Sequence, residues 1–214
     1  MNNSFVRLIT SPLRHRMFRP MFLVFYRNYL RAGTWQEDLL LKVTPRTDER
    51  ILVVGAESCN ISEALARNNP QCEVAWLHIG PGPAKQRSSS NKLRLLSCDH
   101  FKIQHSAASY HKVICAMSLH SLVVDQKLAF LRELRRVLRH GGTLYLADFD
   151  KPVIAKEGGA LGAIEHLFGL EAIKPHLDGS WVKLIEHAGF VSVRRLRSTT
   201  DLIGRTAILK ARRG

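Results

Sequence analysis

The residues best equipped for chemistry stand just behind runs of apolar residues. His120 follows the run Lys112 to Met117, and its ordinary pKa near ~6.5 suits it to take a proton from a phenol or enol oxygen at neutral pH. Asp148 ends the run Thr143 to Ala147 and opens Asp148-Phe149-Asp150, the kind of strand tip at which open α/β sheets hold ligands. Gly55, Glu57 and Cys59 follow the run from Arg50 to Val54, His78 sits at the end of a run opening at Glu73, and Asp99 follows Cys98. His120 and Asp148 are the candidate catalytic residues. Cys59, Cys72, Cys98 and Cys115 form no CxxC pair and have no histidines at zinc spacing, so no metal site is expected. Free cysteines fit a reducing, cytoplasmic setting.

These residues need elements to hold them. Arg50 to Gly55 is a β-branched apolar run ending in glycine, the pattern of a strand buried on both faces of a parallel sheet. A helix is expected behind it, with Asn60 and Glu63 in a capping arrangement and a stop at Asn68-Asn69-Pro70. Glu73 to Ile79 reads as a second buried strand, Lys92 to Cys98 as a weaker third and Lys112 to Met117 as a fourth. Leu128, Leu131, Leu134, Val137 and Leu138 recur at helical spacing, with Asp125 as expected N-cap and Gly141-Gly142 as expected stop. Thr143 to Asp148 is a fifth strand, and Lys151 to Pro175 reads as a loop or short helical region. Asp178 is expected to cap a helix ended by Gly189, before strands Val191 to Leu196 and Arg205 to Lys210, whose spacing predicts a hairpin.

A length of 214 residues fits one domain with a full core. The 32 Lys and Arg against 18 Asp and Glu give a formal net charge of +14, which attracts nucleic acid, acidic membrane surfaces, acidic proteins and phosphorylated substrates. Residues 1–36 contain no acid but carry Arg7, Arg14, Arg16, Arg19, Arg27 and Arg31 beside the apolar run Met21 to Tyr26. That run is shorter than the ~20 residues a membrane span requires. The segment is read as an amphipathic lid or interfacial helix, ahead of a mitochondrial-type targeting peptide, with residues 37–214 as the main domain.

Five strand-helix units ending in a hairpin resemble the class I S-adenosylmethionine (SAM) methyltransferases, with their seven-stranded, mostly parallel α/β sheet, antiparallel C-terminal hairpin and helices on both faces. Tyr110 to Leu122 looks like the family's fourth strand and following loop, and Leu128 to Phe149 is similar to the branch holding the ubiquinone and menaquinone methyltransferases. The resemblance covers about residues 48–212. It implies SAM as cofactor, contacted near Gly55, His78 and Asp99, with His120 facing the substrate. The family's glycine loop is eroded here: Val53 stands where an acid is usual, and Glu57 and Cys59 replace the second and third glycines. A side chain at those places takes room from the cofactor, and Glu57 would crowd its amino-acid end.

The expectation is therefore methyl transfer to a small acceptor, apolar acceptors included. Two alternatives stand beside it: a non-methylating binding or assembly module for RNA or another anionic partner, and a repurposed enzyme that works without SAM. Peripheral contact with an anionic membrane belongs to the same set of expectations, and the sequence leaves the oligomeric state open.

Overall fold

The computed structural model of the chain describes residues 34–55, 58–79, 93–96, 98–99, 101–152, 165, 167–200 and 204–214. The expected N-terminal segment therefore lies outside the described residues up to residue 33, as does Glu57. The elements run α1 (Trp35–Val43), β1 (Arg50–Gly55), α2 (Ser58–Asn68), β2 (Glu73–His78), β3 (Leu93–Leu95), β4 (Cys98–Asp99), β5 (Lys102–Ile103) and β6 (Tyr110–Ala116). A 3-10 turn at Leu119–Ser121 leads to α3 (Val124–Val137), β7 (Leu138–Phe149), α4 (Leu170–Asp178), α5 (Trp181–His187), β8 (Phe190–Thr200) and β9 (Arg205–Arg213).

Seven strands form one sheet in the order β3-β2-β1-β6-β7-β9-β8, with β4 and β5 as a separate two-stranded ribbon. The pairs β3-β2-β1-β6-β7 are all parallel, and β9 runs antiparallel to β7 and β8. The expected seven-stranded, mostly parallel α/β sheet with an antiparallel C-terminal hairpin is thus present.

Strand β1 shows why its sequence is apolar throughout. Leu52 and Val54 point to one core with Phe130, Leu131 and Leu134 of α3 and Trp181 and Ile185 of α5. Ile51 and Val53 point to the other, with Trp35 and Leu39 of α1 and Ile61 and Leu65 of α2. A strand covered on both faces has no polar side to show. Each such side chain contributes about 1.5–3 kcal/mol on burial. Val53, at the position where the related family carries an acid, is fully buried in this second core.

Several boundaries differ from the sequence expectation. Helix α3 starts at Val124, so Asp125 lies in its first turn and is not the cap; Gln126 Oε1 instead accepts the Val123 N–H at 3.3 Å. It ends at Val137, because Leu138 already pairs with Tyr110 and the next register pair is Lys112 with Thr143. Gly141-Gly142 therefore sits in a bulge of β7, with Gly141 at φ +69°, instead of stopping the helix. The open carbonyls there are met by Arg213, whose Nη1 donates to the oxygens of Arg135 and Arg136 at 2.9 and 3.0 Å and also to that of Leu138.

Asn60 lies inside α2, which begins at Ser58, and Glu63 accepts from Cys59 Sγ at 3.5 Å. The third strand is split into β3 and β4. Leu170–Asp178 is helical, with Pro175 inside it, and Asp178 ends that helix while its Oδ1 accepts the Ser180 N–H at 2.8 Å. Among the described residues, no helix is long and apolar enough to cross a membrane.

Candidate functional site

The strand order reverses between β1 and β6, and there the carboxyl ends of the strands line up. Gly55 is level with His78 of β2 and Ala116 of β6, and Ala116 is level with Ala147 of β7, one residue before Asp148. Helices leaving such a point diverge to opposite faces, so the gap between their starts is a crevice floored by strand tips.

Gly55 is required on two grounds. Its φ of +128° lies where side chains are strained, and a Cβ would come 1.9 Å from the carbonyl oxygen of Ala116 and 2.5 Å from Ser118 Oγ. The glycine lets β1 and the turn after β6 approach at the base of the crevice. Helix α2 opens from the same place. Ser58 in its first turn is fully buried, and its Oγ has no hydrogen-bond partner among the described residues. The first-turn N–H groups of a helix have no intrahelical acceptor and favour an anionic group. His78 is half-buried at the tip of β2. Asp99 lies in β4 paired with Lys102, and Glu57 falls outside the described residues.

The structure brings His120 and Asp148 together. Their Nδ1 and Oδ1 atoms are 2.7 Å apart, with side-chain exposures of 0% and 1%. Asp148 Oδ2 also accepts the N–H groups of Ser118 at 3.1 Å and Leu119 at 2.7 Å, and Oδ1 accepts that of Phe149 at 2.8 Å. Burial alone would push the Asp148 pKa up; the His120 charge and hydrogen bond, His176 and the Phe149 N–H outweigh it and hold the carboxyl well below its usual range. An ionised carboxylate only accepts, so His120 Nδ1 carries the donated hydrogen. The turn crossing the crevice after β6 is thus tied to the tip of β7 by one carboxylate.

Two further polar side chains complete this buried network. His176 of α4 is 0% exposed and its Nδ1 donates to the Phe149 carbonyl at 2.7 Å, while its ring stacks on Trp181 at 5.1 Å. Burial lowers its pKa to about 4 against the pull of Asp148, so it is neutral at pH 7. Lys127 of α3 is also 0% exposed; its ammonium donates to the carbonyls of Leu122 and, at 2.7 Å, Ala172, joining α3 to α4. Burial lowers its pKa to about 8, opposed by Asp148. Neither residue was among the candidates. Lys127 carried a signal, since it falls at i, i+3, i+4 and i+7 with Phe130, Leu131 and Leu134 on the face that α3 buries, whereas Leu128 is only half-buried. His176 carried none. Beyond the network, Asp150 takes the Trp181 Nε1 hydrogen at 3.3 Å and ion pairs from Arg195 and Arg205.

A doubly wound α/β sheet with its crevice at the reversal of strand order is the Rossmann-like architecture, whose members hold ligands at that crevice. Residues 52–144 match the methyltransferase domain family. Among solved structures, the chain is similar to PigF bound to S-adenosylhomocysteine, with TM-score 0.69 and 15% identity, covering 97% of this chain and 68% of that one. It is also similar to Haemonchus contortus phosphoethanolamine N-methyltransferase 2, in complex with phosphomonomethylethanolamine and S-adenosylhomocysteine (TM-score 0.63, 10% identity, 85% and 53% covered). The YcgJ protein of Bacillus subtilis gives TM-score 0.64 at 11% identity, with 83% and 97% covered. This chain spans about half the length of the Haemonchus enzyme. No curated protein matches it by sequence. The chain thus has the fold of these methyltransferases, and residues 52–144 within it match their domain family.

Proposed function

We propose that this protein binds SAM in the crevice at the reversal of strand order and directs its methyl group to a small acceptor. The observation that carries this reading is the alignment of Gly55, His78, Ala116 and Asp148 along one edge of the sheet, next to the first turn of α2, where the buried Ser58 Oγ has no hydrogen-bond partner among the described residues. These groups fit the cofactor: a close glycine approach, an imidazole able to bond ribose hydroxyls, and N–H groups for a carboxylate. When bound, SAM supplies a methyl group on a sulfonium that an O, N or C nucleophile displaces in line.

In this reading the chain's own residues orient more than they react. His120 is buried under Phe149 and Phe168, with ring centroids 4.9 and 5.3 Å away, so it and Asp148 act as positioning residues that hold the turn after β6. Proximity in a water-excluding crevice supplies much of the rate, since orientation alone is worth up to about 7–11 kcal/mol.

Calorimetric titration with SAM and S-adenosylhomocysteine, on the unmodified protein and on Glu57→Gly, tests the proposal. Micromolar binding, about −8 kcal/mol, is the expected result. Absence of binding by both proteins overturns it. Recovery only in Glu57→Gly overturns it for the natural chain and favours a cleft closed by its own side chain, as in the non-methylating alternative.

A further inference from the structure

We propose that a second cavity, at the amino-terminal end of the sheet, binds a small phosphate monoester. The cavity has a volume of about 420 Å³ and is lined by Asp48, Arg50, Glu73, Arg94, His105 and Tyr110 among others. It lies away from the crevice: β2 enters it at Glu73 and reaches the crevice at His78, a rise of roughly 17 Å along the strand.

Strand register builds the site. Arg50 is opposite Glu73, and Arg94 is opposite Ala75. Residues 73 and 75 share a face of β2, so both guanidinium groups leave the sheet on that face, from the strands on either side. The two are not equivalent. Arg50 is engaged by Glu73, with Nε 3.0 Å from Oε2, whereas Arg94 is exposed on the edge strand and forms no ion pair among the described residues. The rings of His105 and Tyr110, 5.0 Å apart, form an aromatic part of the lining. Positive charge converges on this place: His105 is held below its ordinary pKa first by burial and then by Arg50 and Arg94. An anion seated between them would relieve that repulsion.

A doubly charged tetrahedral anion suits the fork of Arg94, which can bond two of its oxygens side by side. The acids in the lining decide between a small ligand and a polymer. Asp48 and Glu73 would repel a phosphodiester chain running on through the cavity, but they accept hydrogen bonds from hydroxyl groups on the organic half of a monoester.

The test is calorimetric titration with glycerol 3-phosphate, inorganic phosphate and a short single-stranded RNA. We expect glycerol 3-phosphate to bind more tightly than inorganic phosphate and to bind equally well when the protein is saturated with S-adenosylhomocysteine. Arg94→Gln should weaken it about tenfold, with no loss of thermal stability because the side chain is exposed, and Arg67→Gln on α2 should leave it unchanged. Absence of binding, or equal binding by Arg94→Gln, overturns the proposal. So does displacement of glycerol 3-phosphate by the RNA, which would make the cavity part of a nucleic-acid surface. Failure here leaves SAM binding untouched, since the two sites share no residue.

Discussion

Asp148 holds His120 at 2.7 Å with neither side chain in contact with solvent, and the same carboxylate takes three backbone N–H groups from Ser118, Leu119 and Phe149. One buried charge therefore fixes the turn after β6. Asp148→Ala takes the acceptor from three N–H groups and from the His120 Nδ1 hydrogen, and should cost about 3–5 kcal/mol in urea unfolding. His120→Ala should cost less, because the carboxylate keeps its backbone donors. A double-mutant cycle should give a coupling of about 1–3 kcal/mol. Purely additive costs would show that the pair does not act as a unit.

Two glycines with positive φ separate conformational strain from steric exclusion. Gly169 has φ +87° and ψ 153°, a region essentially confined to glycine, and among the described residues nothing lies within 4 Å of where a Cβ would stand, so Gly169→Ala should cost about 1–3 kcal/mol of backbone strain alone. Gly55→Ala meets backbone atoms at under 3 Å. It should cost several times as much, or push β1 away from the turn and abolish SAM binding. Equal Tm shifts for the two variants would contradict the close approach of β1 to that turn.

The buried bases predict how stability depends on pH. His176 titrates near pH 4 when folded against about 6.5 unfolded, so the unfolded chain binds the extra proton between these values. Stability must then fall as the pH drops through that window. His176→Phe keeps the stack on Trp181, and the variant should lose about 1.4 kcal/mol per pH unit of that slope. Lys127 behaves in the same sense at high pH: with a folded pKa of about 8 against 10.5, its contribution makes stability rise between those values. Lys127→Met should remove that rise. Unfolding midpoints at a series of pH values check both.

Arg213 of β9 ties the last turn of α3 to the start of β7, ahead of its bulge, by donating to the carbonyls of Arg135, Arg136 and Leu138. Arg213→Ala leaves those oxygens without a charged donor, and a loss of about 1.5–3 kcal/mol is expected. Hydrogen exchange should show the effect first at Val137 to Gly142. An unchanged exchange pattern would mean that the bulge holds itself.

The strands could be read from the chain because parallel strands buried on both faces are continuous apolar runs, and Gly55, His78 and Asp148 were found at their tips because an open sheet exposes its carboxyl ends. Helix ends were less legible. Whether Gly141-Gly142 stops a helix or makes a bulge depends on where Leu138 finds its strand partner, and that partner, Tyr110, is 28 residues earlier.

The sequence alone determined the apolar strands β1, β2, β6 and β7, the helix that carries Leu131 and Leu134, and His120 and Asp148 as separate candidates. Only the tertiary structure decided that His120 is sealed from solvent, that Lys127 and His176 join its network, and that Arg50 and Arg94 share a face at the far end of the sheet. The physical reason is the range of the interactions. Periodicity reports which side of its own element a residue faces, whereas burial of charge and the pairing of distant side chains depend on what the other elements bring against that side.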